Sequence, residues 1–274
     1  MKIIHHKTAA EFERARAWLE LAEVENNLIL GIVSYYASYS GELKTQPYFL
    51  TVEDEGGILG AALMAPPRQL LTTFMPDGAV IELADYLLSL SAPMPGWFGP
   101  SSQAELFAKY WIGRTGQACR LRRTHRLYAC TAVLPLTYLP GRLRPATADD
   151  QTLLSEWCVQ FCLDAGIEDE ITFFKARLSH KLADSSLFVW ETDKVLSMAG
   201  LERQQPRGVA ISWVFTPSLL RSQGYATSCV AALTKHMLDT GKHFCCLYAD
   251  LANPTSTIST EELATARSAK FSTG

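Results

Sequence analysis

The chain has 274 residues, which is enough for two domains that each bury a core of their own. Its composition, with 48% hydrophobic and 19% charged residues, is that of a globular protein. The 25 basic and 28 acidic side chains give a net charge of −3, which provides no general electrostatic field for nucleic acid or for an anionic membrane. We therefore expect neither nucleic acid nor a membrane among its partners.

The start of the chain predicts a cytoplasmic protein. Residues 1–6 lead directly into a charged amphipathic stretch at residues 11–25, without the apolar core or the cleavage site of a signal peptide. The longest uncharged apolar segment, residues 28–39, is too short to cross a bilayer. We interpret the seven cysteines, which include no CxxC pair, as reduced thiols of the interior, and we predict no metal site.

The first half of the chain alternates helical and extended patterns. An amphipathic helix is predicted over residues 9–25, because apolar side chains recur there on one face. Glycine and proline turns separate the segments that follow. The predicted elements are helices at residues 27–36, 79–90 and 102–112 and strands at residues 48–53, 57–65, 69–74 and 126–134. Residues 135–145, rich in proline and leucine, are the predicted linker.

The second half repeats the same order of elements. Helices are predicted at residues 149–165 and 171–182, strands at residues 187–191, 195–202 and 209–215, and a further helix at residues 227–240. The order suggests two copies of one fold. The fold class is α/β, or more narrowly α+β, with helices flanking a mixed and mostly antiparallel sheet. We assign residues 1–140 to a degenerate first copy and residues 141–274 to the second.

A short segment between the third strand and the next helix of the second copy has the pattern Arg-x-x-Gly-x-Ala. Gly224 lets the backbone turn with positive φ, and the helix that follows adds unpaired N–H groups and the positive end of its dipole. Ala226 leaves room for a diphosphate, and Arg221 adds a positive charge. The segment is therefore predicted to bind a diphosphate through Arg221, Ser222, Gln223, Gly224, Tyr225 and Ala226.

The first copy has no such segment. Its third strand is followed by Met75 and Pro76 and then by Asp77, whose carboxylate repels phosphate. The two common nucleotide-binding patterns, G-x-G-x-x-G and G-x-x-x-x-G-K-S/T, occur nowhere in the chain. We predict that one copy binds the diphosphate and the other does not.

The segment from Arg221 to Ala226, together with Val214, Phe215 and the run at residues 244–254, resembles the GNAT acyltransferases. The likeness is to a bacterial subgroup with two GNAT-like domains, of which the first is degenerate. It implies acetyl-CoA or a related acyl-CoA as co-substrate and an amine of unknown identity as acceptor. It further implies that backbone groups of Val214 and Phe215 meet the pantetheine arm, that the strand at residues 247–249 diverges to open a slot for the thioester, and that Asn253 belongs to the cofactor site.

The chain departs from the resemblance after Ser256. The family continues there with a helix that carries a tyrosine, thought to protonate the leaving thiolate, and with two more strands. This chain instead has a short, polar and aperiodic tail, with Thr260 near the place of the tyrosine. The second domain is therefore predicted to lack the usual last helix and strands and to be truncated.

The residues that move protons are left open. Glu202 on a strand, or Glu168, Asp169 or Glu170 between two helices, is a candidate general base, and Tyr248 is a candidate replacement for the missing acid. The predicted function is N-acyltransfer, and N-acetyltransfer in particular. A catalytically impaired module that binds CoA or another protein is the alternative, and a truncated form of the enzyme is a third.

Overall fold

The structure, a computed structural model, describes residues 1–39, 45–135, 137–252 and 266–274. The chain divides into two compact units. The first comprises Met1–Leu127 together with residues 249–252 and Ser268–Gly274, and the second comprises Tyr128–Tyr248 with residues 266–267. The boundary between the units differs from the predicted one, since it falls after residue 127 instead of inside the predicted linker.

The strands are β1 Lys2–His6, β2 Tyr48–Asp54, β3 Gly57–Met64, β4 Leu70–Thr72, β5 Trp97–Pro100, β6 Arg123–Cys130, β7 Arg142–Pro145, β8 Leu187–Glu191, β9 Val195–Gln204, β10 Gly208–Phe215, β11 Phe244–Asp250 and β12 Ala266–Thr273. The predicted strands keep their order, while β1, β5 and β7 are additional strands, and β7 lies within the predicted linker. The helices are α1 Ala9–Phe12, α2 Arg16–Leu19, α3 Asn27–Ser38, α4 Asp77–Ser89, α5 Ser101–Thr115, α6 Gln151–Ala165, α7 Ile171–Ala183 and α8 Tyr225–Asp239. Within the described ranges, no helix is both long and apolar enough to cross a membrane.

The first unit is built on a mixed sheet with the strand order β1-β2-β3-β4-β5-β12. Neighbouring strands are antiparallel except for the parallel pair β4 and β5. Helix α4 packs on this sheet because Val80, Leu83 and Leu87 recur at helical spacing, and all three are fully buried beside Leu50 and Val52 of β2. The unit therefore has a core of its own.

Strand β12, at the end of the chain, is a strand that the sequence did not predict, and the absence of the last strands from the second domain stays a prediction. It pairs antiparallel with β5, from Phe271↔Pro100 to Thr273↔Phe98, and so belongs to the sheet of the first unit. The Phe271 ring stacks on Phe98 with centroids 5.5 Å apart. Strand pairing is made by backbone groups, so one well-buried aromatic side chain holds a tail that is otherwise too polar to predict as a strand.

The second unit has the sheet order β7-β8-β9-β10-β11. Strands β7 to β10 are antiparallel neighbours, and β10 and β11 are parallel. Helices α6 and α7 cover one face, where Leu154, Trp157 and Leu178 are buried, and α8 covers the other with Cys229 and Leu233. The structure confirms the predicted fold class, a mixed sheet flanked by helices.

Candidate functional site

The carboxyl ends of β10 and β11 in the second unit form an opening in the sheet. The two strands pair in parallel only from Gly208↔Phe244 to Ala210↔Cys246, although β10 continues to Phe215 and β11 to Asp250. Ligands of open α/β sheets bind at such carboxyl ends. The geometry agrees with the predicted divergence of residues 247–249, and among the described residues no strand pairs with the outer half of β10 on this side.

Strand β10 carries a bulge that the sequence analysis missed. Its pairing with β9 slips by one residue between Ser212 and Phe215, and Trp213 lies in the left-handed region with φ +55°. Before the bulge, Val209 and Ile211 pack on the side of α8, whereas Trp213 and Phe215 pack on the side of α6 and α7. The slip thus reverses the faces of the strand where it enters the opening.

The predicted diphosphate segment lies directly after β10 and ends at the start of α8. A single 3-10 turn at Ser218–Leu220 is followed by Ser222 with φ +58° and by Gly224 with φ +91°, which is the N-cap of α8. The first N–H of this helix with an internal acceptor belongs to Ser228, which donates to Gly224 O at 2.9 Å. Within the described part of the chain, the N–H groups of residues 222–227 have no acceptor.

Those six residues give the start of α8 the features that favour an anion. Unpaired N–H groups at a helix N-terminus, together with the helix dipole, favour negative charge. The positive φ values turn successive N–H groups toward a common side, as in backbone nests that bind phosphate. Residues 221–224 are exposed, and Tyr225 and Ala226 are half-buried, so a ligand has access to this backbone.

Arg221 is held beside the segment by three contacts. Its Nε donates to Thr216 O at 2.9 Å, its guanidinium forms an ion pair with Asp164 at the end of α6, and it lies 5.6 Å from the centroid of the Phe215 ring. The cation is therefore fixed close to the unpaired N–H groups. Asp164 balances part of its charge, a feature that the motif alone did not reveal.

The corresponding place in the first unit is built differently. Strand β4 ends at Thr72 and α4 begins at Asp77, with Pro76 as the N-cap and without a side-chain cap. Ala79 N and Val80 N both donate to Pro76 O, at 2.8 and 3.2 Å. The first turn of α4 thus carries an acidic residue, and no glycine loop precedes it; that only one copy binds a diphosphate stays a prediction.

Glu202, the predicted base on β9, is engaged by donors from two other elements. Its Oε1 accepts from Trp213 Nε1 at 3.1 Å and lies 3.0 Å from Lys181 Nζ, and its Oε2 lies 3.4 Å from an Arg177 Nη2. A base needs a free lone pair that faces the substrate. The role of Glu202 as the base stays a prediction, and these contacts favour a structural role.

The other predicted residues lie near the same end of the second unit or outside the described residues. Tyr248 is half-buried on β11, beyond the stretch that pairs with β10. Glu168, Asp169 and Glu170 form a 3-10 turn between α6 and α7. Asn253 lies outside the described residues, as does the position of Thr260. Among the described residues, no group of three or more His, Cys, Asp and Glu side chains is arranged to hold a metal ion.

Comparisons with known proteins define the class of fold. Solved structures that match nearly the whole chain include an acetyltransferase of the GNAT family from Colwellia psychrerythraea, with a TM-score of 0.59 and 13% identity over 100% of this chain and 99% of that one. A GCN5-related N-acetyltransferase from Sphaerobacter thermophilus has a TM-score of 0.60 and 14% identity over 99% of this chain and 95% of that one. The chain therefore has the fold of the GNAT acetyltransferases.

A further match specifies the tandem form of this fold. A tandem GNAT protein from the clavulanic acid biosynthesis pathway has a TM-score of 0.53 and 10% identity over 100% of this chain and 98% of that one. No protein-family model matches the sequence, and no curated protein matches it. The likeness is thus one of fold, and it confirms the predicted arrangement of two GNAT-like domains in one chain.

Proposed function

We propose that the second unit binds an acyl-CoA and that the protein is an N-acyltransferase, with acetyl-CoA as the acyl donor and an amine as the acceptor. The observation that carries this proposal is the group of unpaired N–H donors at residues 222–227, at the start of α8 and next to the opening between β10 and β11. A diphosphate satisfies several such donors at once, and its charge suits the helix dipole.

The parts of an acyl-CoA suit successive parts of this end of the unit. The diphosphate meets the segment from Arg221 to Ala226. The pantetheine arm then runs along the unpaired edge of β10 at Val214 and Phe215, as an additional strand does. Phe215 is 5% exposed and packs in the core, so its contribution is made by its backbone groups. The thioester reaches the opening near Tyr248.

The proposed reaction is a direct transfer. The uncharged nitrogen of the acceptor attacks the carbonyl carbon of the thioester, the carbon–sulfur bond breaks, and CoA leaves as the thiolate. The acceptor nitrogen loses one proton in forming the amide, and the thiolate takes up one proton. Tyr248 is proposed as the donor of that second proton, because it lies on the part of β11 that diverges from β10.

Calorimetric titration with acetyl-CoA, followed by a thiol-release assay on a panel of amines, tests the proposal. We expect saturable binding of acetyl-CoA and of CoA and release of free thiol that depends on an amine. The matched control is the same release assay without an amine, which measures hydrolysis of the thioester. A folded protein that binds neither ligand contradicts the assignment of the site.

A CoA-binding module without turnover is the second candidate, and the contacts of Glu202 favour it. That carboxylate is held by Lys181 and Arg177, so the strand position predicted to supply a base is occupied by a structural ion cluster. This candidate predicts binding of acetyl-CoA without amine-dependent thiol release. If the protein is active, a Glu202→Gln variant that keeps its activity indicates an enzyme with another base. A variant that loses its activity indicates an enzyme that uses Glu202.

A further inference from the structure

A buried charge cluster joins α7 to the bulge of β10. Its centre is Glu202, whose Oε1 receives the indole N–H of Trp213 at 3.1 Å and the ammonium of Lys181 at 3.0 Å. Lys181 is 2% exposed, donates to Leu201 O at 2.6 Å and lies 5.1 Å from the centroid of the Trp213 ring. Glu202 and Lys181 thus contact each other as well as the Trp213 side chain.

The size of the neighbouring residues also fixes the indole. Trp213 lies over Gly200 of β9, where an added Cβ would be 3.3 Å from the Cβ of Trp213 and 3.3 Å from Leu187 Cδ1. On its other side the ring meets Phe174 of α7, with centroids 4.6 Å apart. A larger residue at position 200 would push the ring away from β9, so the glycine sets the depth at which the indole lies.

The conformation of Trp213 needs this support. A residue other than glycine is uncommon at φ +55°, and it persists where its surroundings over-determine it. Three contacts hold Trp213 in this conformation. Its ring packs on Phe174, its indole N–H donates to Glu202, and Glu202 is in turn paired with Lys181. Burial lowers the pKa of the Lys181 ammonium, and the Glu202 carboxylate opposes that shift. The carboxylate thus stabilises the charged form of the buried lysine.

We propose that Lys181, Glu202 and Trp213 form a positioning network that holds the β10 bulge, and with it the backbone of Val214 and Phe215, in the form that receives the pantetheine arm. This inference rests on the proposed function. It assigns Glu202 to binding of the donor through Trp213, and it does not require Glu202 to accept a proton from the acceptor amine.

The network acts on one part of the ligand, and this selectivity is its signature. The N–H groups proposed to meet the diphosphate belong to residues 222–227 at the start of α8, whereas the bulge lies next to the two residues proposed to meet the pantetheine arm. Loosening the bulge should therefore weaken the binding of acetyl-CoA more than the binding of 3′-phospho-ADP, which has the phosphates of CoA and lacks the pantetheine arm. A general loss of folding would weaken both ligands alike.

The experiment measures the dissociation constants of acetyl-CoA and 3′-phospho-ADP by calorimetry for the wild type and Trp213→Phe, which keeps a ring and loses the N–H donor. We expect the dissociation constant of acetyl-CoA to rise about tenfold or more, as for the loss of one hydrogen bond to a charged group, and that of 3′-phospho-ADP to be unchanged. Trp190→Phe is the matched control, because Trp190 Nε1 donates to Pro140 O at 3.3 Å away from the bulge.

Two further variants keep the test decisive. Gly200→Ala displaces the Trp213 ring without removing a polar group, and it should reproduce the selective loss. Glu202→Gln removes the charge that pairs with the buried Lys181 ammonium, and it should weaken the binding of acetyl-CoA as selectively as Trp213→Phe does. Equal affinity of wild type and Trp213→Phe for acetyl-CoA, or an equal loss for both ligands, would overturn the positioning role. A wild type that binds neither ligand would overturn the proposed function as well.

Discussion

The most direct test of the diphosphate segment is the charge reversal Arg221→Glu. The Arg221 side chain is 38% exposed, so its field is partly screened. A pair of unit charges about 5 Å apart interacts by about 3 kcal/mol at an effective dielectric constant of about 20, and exposure reduces this to about 1 kcal/mol. Reversal of the charge doubles the effect to about 2 kcal/mol, which is roughly a thirtyfold weaker binding of CoA.

The assay is titration calorimetry with CoA at two salt concentrations. The effect of the substitution should shrink at high salt, because screening acts on exposed charges. The matched control is Arg142→Glu, which makes the same change of charge at another arginine of the second unit, paired with Glu191 on the outer strands. Folded Arg221→Glu protein with the affinity of the wild type for CoA would refute the phosphate assignment.

The partner of Arg221 gives a second arm of the same experiment. Asp164 competes with a diphosphate for the guanidinium, and its carboxylate also repels phosphate. Asp164→Asn should therefore tighten the binding of CoA by about two- to fivefold. A weaker binding in this variant would mean that Asp164 is needed to position Arg221.

Three more predictions concern single residues. Gly224 has φ +91°, so Gly224→Ala should weaken the binding of CoA about tenfold in calorimetry. The control Gly241→Ala, at φ +97° beyond the other end of α8, should leave the affinity for CoA unchanged. Phe271→Ala, at a 2% exposed site, should lower the free energy of unfolding in urea by about 3–5 kcal/mol. The Arg144 guanidinium lowers the pKa of Asp150, so this carboxylate adds stability at neutral pH that is lost as the pH falls below about 4. Asp150→Asn should remove this acid-sensitive stability, which we expect to be about 1–3 kcal/mol. Thermal denaturation measured against pH checks this prediction.

The backbone form of the segment from Arg221 to Ala226 was predictable because its signals are local. Gly224 directly precedes the helix, Ala226 is a small residue in its first turn, and Arg221 lies three residues before the glycine. These six residues predict the local backbone conformation without reference to the rest of the chain. The structure agrees, with Gly224 in the left-handed region at the first residue before α8. Local chemistry of this kind does not depend on which element packs against which.

The bulge at Trp213 and strand β12 depend on distant partners and were not predictable in this way. Trp213 adopts its conformation because Glu202, Lys181 and Gly200 meet it from other elements. The predicted helix over residues 9–25 is a related case, since short α and 3-10 turns replace it although Phe12 and Leu19 are buried as its pattern requires. Periodicity thus identified the buried face, while tertiary packing decided the form of the backbone.

The two units show why the fold alone does not make the site. Both have two parallel strands connected by a helix that packs on the sheet, β4 and β5 connected by α4 in one and β10 and β11 connected by α8 in the other. In the first, Pro76 caps the helix at once and its carbonyl takes the N–H groups of Ala79 and Val80. In the second, a longer loop ends at Gly224, whose carbonyl takes the N–H of Ser228 and not that of Thr227, and the N–H groups of residues 222–227 are left for a ligand. We therefore expect the capacity for a diphosphate to lie in the residues between the strand and the helix. A graft of residues 216–226 between β4 and α4 tests this expectation, and binding of 3′-phospho-ADP by the first unit is the expected result.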